Sequence, residues 1–230
     1  MPTRPHSHGE GSEEPELPAR SRPKATHVGS VREASQTIAE VAKAGRVKDG
    51  GATRAGPPGG SRPPTEDLMT HKTGTPGGAP EGHPTRVESD DDAATRRSIE
   101  MENSAAAALA SSGWQVKQNP TPDEVAQARQ TSGDIGDPKK NPDYLLEGRV
   151  FDCYSPTKPT KNARGVWSEV QIKIKKLQTQ RVVVNLEDWK GNMTALRRQF
   201  ADWPIPKLKE VKAVTPDGDI VQIDLPEYSE

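Results

Sequence analysis

The C-terminal part of the chain shows two regular patterns of apolar positions, one with the period of a helix and one with the period of a strand. Ile99, Ala106 and Leu109 recur at helical spacing, and Gly113 follows them as a helix stop. Alternation and continuous Val runs predict the strands. In chain order, the predicted elements are a helix at 93–114, strands at 114–118, 143–148 and 149–155, a helix at 165–180, a strand at 181–186, a helix at 192–203 and a hairpin at 208–225.

This order, α-β-β-β-α-β-α-β-β, predicts an α/β fold in which helices pack against one mixed sheet. Two stretches are ambiguous. Residues 165–180 have apolar positions at helical intervals, although part of the run also alternates like a strand, and its length favours the helix. Residues 119–141 have the character of a loop that contains one helical turn or two.

Residues 1–92 have the composition of a disordered linker. The first 90 residues contain 12 Pro and 13 Gly, and no Phe, Trp or Tyr. Within them, residues 30–47 could form a short helix, which would be marginal in water on its own. All nine aromatic residues lie between Trp114 and Tyr228, so we expect a single folded domain at 93–230.

The charge of the chain is unevenly distributed although its net value is only −1. Residues 155–212 contain 13 Lys and Arg against 5 Asp and Glu, and the last 18 residues contain five acids and no base. A basic segment in a nearly neutral domain is compatible with nucleic acid binding, but such a run is more often an ordinary solvated face.

Residue types that are missing from 93–230 exclude several kinds of site. All five histidines lie in the predicted linker, which argues against a histidine-dependent nuclease or protease and against a His-containing zinc site. Cys153 is the only cysteine, so no internal disulfide is possible. No apolar run is long enough to cross a membrane, and the N-terminus lacks the apolar region of a Sec signal peptide. Export would therefore use another route, or the domain would be the tail of a larger secreted protein.

Acidic residues occur within the predicted strands, and a lysine follows on the next helix. Carboxylates that converge near a lysine suit phosphodiester cleavage, because oxygen ligands hold Mg²⁺, the metal activates water, and the lysine stabilises developing negative charge. Mg²⁺ could be held by the three acids. The residues concerned are Glu102, Asp143, Asp152 and Lys173.

Each of these residues also has an ordinary structural interpretation. Asp143 could cap the entry to a strand, and Asp152 alternates with Phe151 and so could face solvent. Glu102 could be a solvated helix residue and Lys173 a surface lysine with a buried stem. Patterning alone leaves both interpretations open.

Four sequence blocks resemble the C-terminal tRNase domain of contact-dependent growth inhibition toxins, relatives of which also end many polymorphic toxins. The resemblance covers about residues 93–226 and implies a core similar to the PD-(D/E)XK nucleases, with their α-β-β-β-α-β order. The blocks are RRSIEMENSAAAALASSGWQVKQNP, NPDYLLEGRVFDCYSP, WSEVQIKIKKLQ and RVVVNLEDWKGNMTALRRQFADWPIPKLKEVKAVTPDGDIV.

The resemblance assigns roles residue by residue. It implies that Glu102, Asp143, Asp152 and Lys173 are catalytic. In the wider superfamily the second acid and the lysine share one strand as (D/E)-x-K, whereas here Tyr154 stands at the position of the lysine, so the lysine would come from the next helix. Polar support is expected from Ser155, Tyr154 and Gln178.

The implied function is that of a toxin ribonuclease, delivered without a Sec signal, that cleaves tRNA in the cytoplasm of a target bacterium. The basic face would contact the RNA backbone and an acidic cognate immunity protein. A DNase of the same fold and a non-catalytic binding module remain alternatives. The expected backbone contacts are Lys158, Lys161 and Arg164, and the tryptophans expected in the core are Trp167, Trp189 and Trp203.

Overall fold

The computed structural model describes residues 69–226, and the predicted short helix at 30–47 lies outside them. The described part forms a seven-stranded mixed sheet with four helices, so the predicted α/β class is confirmed. None of these helices is long and apolar enough to cross a membrane. The elements are β1 Glu81–Gly82, α1 Ala93–Ser111, β2 Val116–Gln118, α2 Pro122–Ser132, β3 Tyr144–Leu146, β4 Arg149–Tyr154, α3 Ala163–Lys175, β5 Arg181–Asn185, α4 Met193–Asp202, β6 Glu210–Val214 and β7 Ile220–Ile223.

The strands lie in the sheet in the same order as in the chain. The pairs β2–β3, β3–β4 and β6–β7 are antiparallel, and β1–β2, β4–β5 and β5–β6 are parallel. The parallel connections run through α1, α3 and α4, as helical crossovers do. The ambiguous stretch at 165–180 is thus a helix over most of its length, and it carries the chain from β4 to β5.

Helices cover both faces of the sheet. Val182 and Val184 of β5 pack on one face with residues of α3 and α4, whereas Val183 packs on the other face with Leu109 and other residues of α1. Because β5 is buried on both sides, it is a continuous apolar run rather than an alternating one.

The turn between β3 and β4 has the geometry that the Glu-Gly pair predicts. Glu147 has φ 49° and Gly148 has φ 71°, and positive φ at both central residues is the requirement of a two-residue type I′ hairpin. Gly148 adopts this backbone without strain, and the predicted hairpin is confirmed.

The loop at 119–141 contains more helix than the one or two turns predicted. α2 has 11 residues and begins with a capping box in which Thr121 and Glu124 bind each other's backbone N–H groups, with Pro122 in the first turn. Its apolar positions are few, Val125 and Ala128 being the buried ones. Capping rather than periodicity was therefore the signal for this helix.

The prediction of a linker up to residue 92 is wrong for residues 69–92, which we call the strap. Thr70 donates from its backbone N–H and its hydroxyl to Glu210, and Thr73 donates to Glu147. Gly74 bonds to the carbonyl of Gly113, and β1 adds a short edge strand beside β2. A composition rich in Pro and Gly indicated the lack of long regular elements in the strap, but it gave no information on its hydrogen bonds to the domain.

A network of buried charges holds the first residues of the strap. Arg181 lies 3.0 Å from Asp134 and 2.7 Å from Glu210, and Lys212 lies 2.8 Å from Glu210. The Thr70 hydroxyl donates to the same Glu210 carboxylate at 2.8 Å. The charges are paired and hydrogen-bonded, which is the condition for burying them.

Candidate active site

The candidate site lies where β3 and β4 separate. The first half of β4 pairs with β3 up to Tyr144 opposite Phe151, and the second half pairs with β5 from Asp152 onward. Asp143 stands just outside the β3 ladder, and its Oδ2 accepts a 2.6 Å hydrogen bond from the N–H of Cys153. The side chain of Asp143 therefore replaces the backbone acceptor that a longer β3 would have supplied, and it sits inside the fork.

Asp152 is the second acid of the fork, and its exposed fraction is only 2%. Phe151 and Cys153 face the α1 side of the sheet, so strand alternation turns Asp152 toward α3. There Lys173 donates to Asp152 Oδ2 at 2.8 Å. The alternative in which Asp152 faces solvent is wrong, because α3 covers this face of β4. The exposed fraction of the Lys173 side chain is 13%, so it is not an ordinary surface lysine.

Glu102 reaches the same region from α1, on the other face of the sheet. It is buried, with an exposed fraction of 8%, so the alternative of a solvated helix residue is wrong. Its carboxylate accepts a 2.6 Å hydrogen bond from the Thr85 hydroxyl, and its backbone carbonyl accepts one from Tyr144. Sequence reasoning missed Thr85 because it lies in the strap, where composition predicted a linker.

The electrostatics of the fork favour one shared proton and one cation. Burial raises the pKa of Asp143 well above its usual value, and the charges of Asp152 and Glu102 raise it further. Burial alone would lower the pKa of Lys173, but the attraction of Asp152 and Asp143 outweighs it, and the net effect is an increase. Burial and the neighbouring carboxylates therefore favour the protonated form of Asp143 beside the Asp152–Lys173 ion pair.

This arrangement contains the groups needed for phosphoryl chemistry. The ammonium of Lys173 can neutralise charge that develops on a phosphate oxygen. A carboxylate can accept the proton of a nucleophile, and the protonated acid can return one to a leaving oxygen. The four predicted catalytic residues, Glu102, Asp143, Asp152 and Lys173, are thus brought together by β3, β4, α1 and α3.

The acids as arranged do not fit the predicted Mg²⁺ site. Within residues 69–226, no group of three or more His, Cys, Asp or Glu side chains has a geometry that would hold a metal ion. One oxygen of Asp152 is taken by Lys173, and one oxygen of Asp143 is taken by the N–H of Cys153. The requirement for Mg²⁺ stays a prediction, which cleavage in the presence of EDTA tests.

The supporting residues differ in how closely they approach the fork. Tyr154 lies two residues beyond Asp152 on β4, and its buried hydroxyl has no hydrogen-bond partner in the described part of the chain. Ser155 follows directly and is half-buried. Gln178 lies in the turn after α3, where its N–H donates to the carbonyl of Lys173. This bond fixes the backbone of Gln178 at the C-terminal end of the helix that carries Lys173.

The predicted backbone-contacting residues follow the site in the loop before α3 and in its first turn. Lys158 and Arg164 are exposed. Lys161 is half-buried, pairs with Glu169 at 2.8 Å and stands over the Tyr154 ring, so its charge is partly engaged within the domain.

The three tryptophans do not share the predicted core position. Trp167 and Trp189 are buried, but Trp203 has an exposed fraction of 54%, so its core prediction is wrong. Pro204 follows the end of α4, and Arg164 lies over the Trp203 ring with 5.5 Å to its centroid. The backbone carbonyl of Trp203 still accepts from Trp167, so its main chain is fixed although its ring is not buried.

Comparison with known proteins bears on this geometry. Residues 139–220 match the family described as the contact-dependent growth inhibition CdiA C-terminal domain, a stretch that contains Asp143, Asp152 and Lys173. A solved structure, the CdiA-CT/CdiI toxin and immunity complex from Burkholderia pseudomallei, is 33% identical with a TM-score of 0.54, and the match covers 64% of this chain and 99% of that one. The chain belongs to the CdiA C-terminal domain family. The resemblance to contact-dependent growth inhibition toxins is thereby confirmed.

The chain is also similar to a much longer member of the same class. It is 36% identical over 146 residues to the tRNA nuclease CdiA-2 of Burkholderia pseudomallei (strain 1026b). The match covers 64% of this chain but only 4% of that relative. The likeness is therefore confined to one small part of the longer protein.

Proposed function

We propose that this CdiA C-terminal domain is a toxin endonuclease that hydrolyses phosphodiester bonds in tRNA. The observation that carries the proposal is the buried Asp152–Lys173 pair, next to Asp143 and Glu102, at the fork of the sheet. Burying charged groups carries a desolvation cost even when they are paired. Clusters of such groups are concentrated at functional sites. The similarity to a relative named tRNA nuclease supports the choice of substrate.

We assign the roles of the residues from their positions and hydrogen bonds. Glu102 accepts a proton from the attacking water, and the water oxygen forms the new bond to phosphorus. The bond to the leaving oxygen breaks, and the proton shared by Asp143 and Asp152 is the one available to that oxygen. Lys173 offsets the negative charge that gathers on the phosphate in the transition state.

The basic residues beside the site account for binding to a folded RNA. Exposed Lys158 and Arg164 supply positive charge in the segment that leads from β4 into α3. Contacts of this kind recognise phosphates and shape rather than sequence, so binding should weaken as salt is raised.

The experiment that tests the proposal is a cleavage assay with the full chain, since the strap is part of the domain. The protein is incubated with total bacterial tRNA and, separately, with plasmid DNA, each with Mg²⁺ and with EDTA. Asp152→Asn is the control variant because it keeps the volume of the side chain. Discrete tRNA fragments that the variant does not produce are the expected result.

Other outcomes would redirect the assignment. Degraded DNA with intact tRNA would indicate a DNase of the same fold. No cleavage of either, by a chain that still binds RNA, would indicate a binding module. Loss of tRNA cleavage in EDTA would establish the predicted metal requirement, for which the fork would have to rearrange.

The domain also suits a cognate immunity protein of acidic character. A solved relative is a toxin and immunity complex, and residues 155–212 of this chain have a surplus of positive charge. Opposite charge would speed the association and select the partner. A small acidic protein encoded beside this chain should bind the purified chain and block cleavage; a neighbour that binds without inhibiting would contradict the proposal.

A further inference from the structure

The C-terminal end of the strap contacts one of the proposed catalytic carboxylates. The hydroxyl of Thr85 donates to Glu102 Oε1 at 2.6 Å. The same hydroxyl oxygen accepts from Asn119 Nδ2 at 3.1 Å. Glu102 Oε1 is much closer to this hydroxyl than its other acceptor, Asn119 Oδ1 at 3.4 Å, so the hydroxyl directs its proton toward Glu102.

The backbone of Thr85 is fixed by the helix that carries Glu102. Asn103, the next residue on α1, accepts from the N–H of Thr85 at 3.0 Å and donates to its carbonyl at 2.8 Å. Gln118 of β2 donates to Asn103 at 3.0 Å and orients its amide. One turn of α1 therefore carries both the carboxylate and the side chain that anchors the residue bound to it.

The strap is fastened independently at its other end. Thr73 donates from its hydroxyl to Glu147 at 2.6 Å and from its N–H at 3.0 Å. Glu147 lies in the β3–β4 turn, at the opposite end of β3 from Asp143. Thr73 thus makes the same kind of hydroxyl–carboxylate bond as Thr85, at the same distance, without contact to the proposed catalytic residues.

We propose that Thr85 is a positioning residue that holds the carboxylate of Glu102 in its reactive orientation, which makes the segment of the strap around Thr85 a component of the active site. The inference rests on the proposed function, because Glu102 is taken there as the proton acceptor. A proton acceptor must lie within hydrogen-bond reach of the group that it serves, and a small displacement lowers the rate strongly. Thr85 acts on the substrate only through Glu102.

The kinetic test compares three variants of the full chain, Thr85→Val, Thr85→Ser and Thr73→Val. Thr85→Val should lower kcat for tRNA cleavage about 10-fold, the effect of losing one hydrogen bond to a charged group, with KM changed less than twofold. Thr85→Ser, which keeps the hydroxyl, should restore most of the rate. Thr73→Val should leave kcat within a factor of two. An equal loss in both valine variants would show that only strap attachment matters and would overturn the proposal.

A second readout does not depend on cleavage. The ¹³C signal of the Glu102 carboxyl carbon, assigned through its loss in Glu102→Gln, should move in Thr85→Val and stay in place in Thr73→Val. If the native chain cleaves no nucleic acid, the proposed function fails, whereas this signal still reports on the Thr85 contact. A carboxyl signal that is unchanged in Thr85→Val would contradict the positioning role whatever the activity.

Discussion

Replacing Lys173 by methionine should expose how much the buried ion pair contributes to the fold. The pair is 2.8 Å long, and its side chains have exposed fractions of 13% and 3%. At an effective dielectric constant of about 20, charges at this distance attract by roughly 6 kcal/mol. Desolvation of both ions offsets part of this attraction, and truncating one partner of a buried pair typically lowers the free energy of unfolding by about 3–5 kcal/mol. We expect Lys173→Met to fall in that range at pH 7.

The loss of stability in Lys173→Met should come from the buried carboxylate that is left without its cation, rather than from the missing contact itself. In Lys173→Met, Asp152 remains buried beside Asp143 without its cation. Replacing both members, Asp152→Asn with Lys173→Met, removes the uncompensated charge, so the double variant should be more stable than the lysine variant alone. The single lysine variant should also recover stability as the pH is lowered, since protonation discharges the acid.

Urea unfolding of the full chain, followed at pH 7 and pH 5, measures these differences through the transition midpoint. Lys175→Met is the matched control, because Lys175 is an exposed lysine on the same helix. Its substitution should change the free energy of unfolding by less than about 0.5 kcal/mol. A cost below about 1 kcal/mol for Lys173→Met, as for an exposed pair, would refute the reasoning, and so would strictly additive effects in the double variant.

Three further substitutions test other parts of the structure. Burial raises the pKa of Asp143, so the folded chain keeps a proton that the unfolded chain loses above about pH 4, and stability is lost as the pH rises toward the folded pKa. Asp143→Asn should flatten this decline in urea midpoints between pH 5 and 9; an unchanged slope would contradict the assignment. Glu210→Gln should lower the free energy of unfolding by about 3–5 kcal/mol, because Glu210 is fully buried against two cations; thermal unfolding with no shift would exclude this role. Trp203→Ala should lower the free energy of unfolding by less than about 1.5 kcal/mol because the ring is half exposed. A decrease as large as that for a buried tryptophan would contradict the exposed position.

The elements that sequence reasoning predicted are those with strong local signals. β5 is a continuous apolar run, α1 has apolar residues at helical spacing, and the Glu147-Gly148 turn requires positive φ. Local signals of this kind specify an element before any tertiary contact forms. Their order along the chain was sufficient for the mixed sheet, because the strands lie in the sheet in chain order.

The features that were missed depend on contacts distant in sequence. Thr70 bonds to a glutamate 140 residues away, and such a bond leaves no trace in local composition. Trp203 has an apolar ring, but its position just past α4 leaves the ring at the surface.

The candidate site could be predicted from the sequence only in part. Residue types and the family resemblance selected Glu102, Asp143, Asp152 and Lys173, but patterning alone left Asp152 free to face solvent. What decides its environment is the packing of α3 over β4, a tertiary contact. The fork between β3 and β4 depends likewise on where the ladder stops, which the length of the apolar run does not reveal.

We infer that cleavage of tRNA by this domain depends on Asp152 and Lys173 in the fork. The most direct measurement follows end-labelled bacterial tRNA during incubation with the full native chain and with Asp152→Asn, after circular dichroism has shown that both are folded. We predict discrete fragments with the native chain and intact tRNA with the variant. Fragments of the same size and yield from both proteins would contradict the claim, because cleavage would then not depend on this acid.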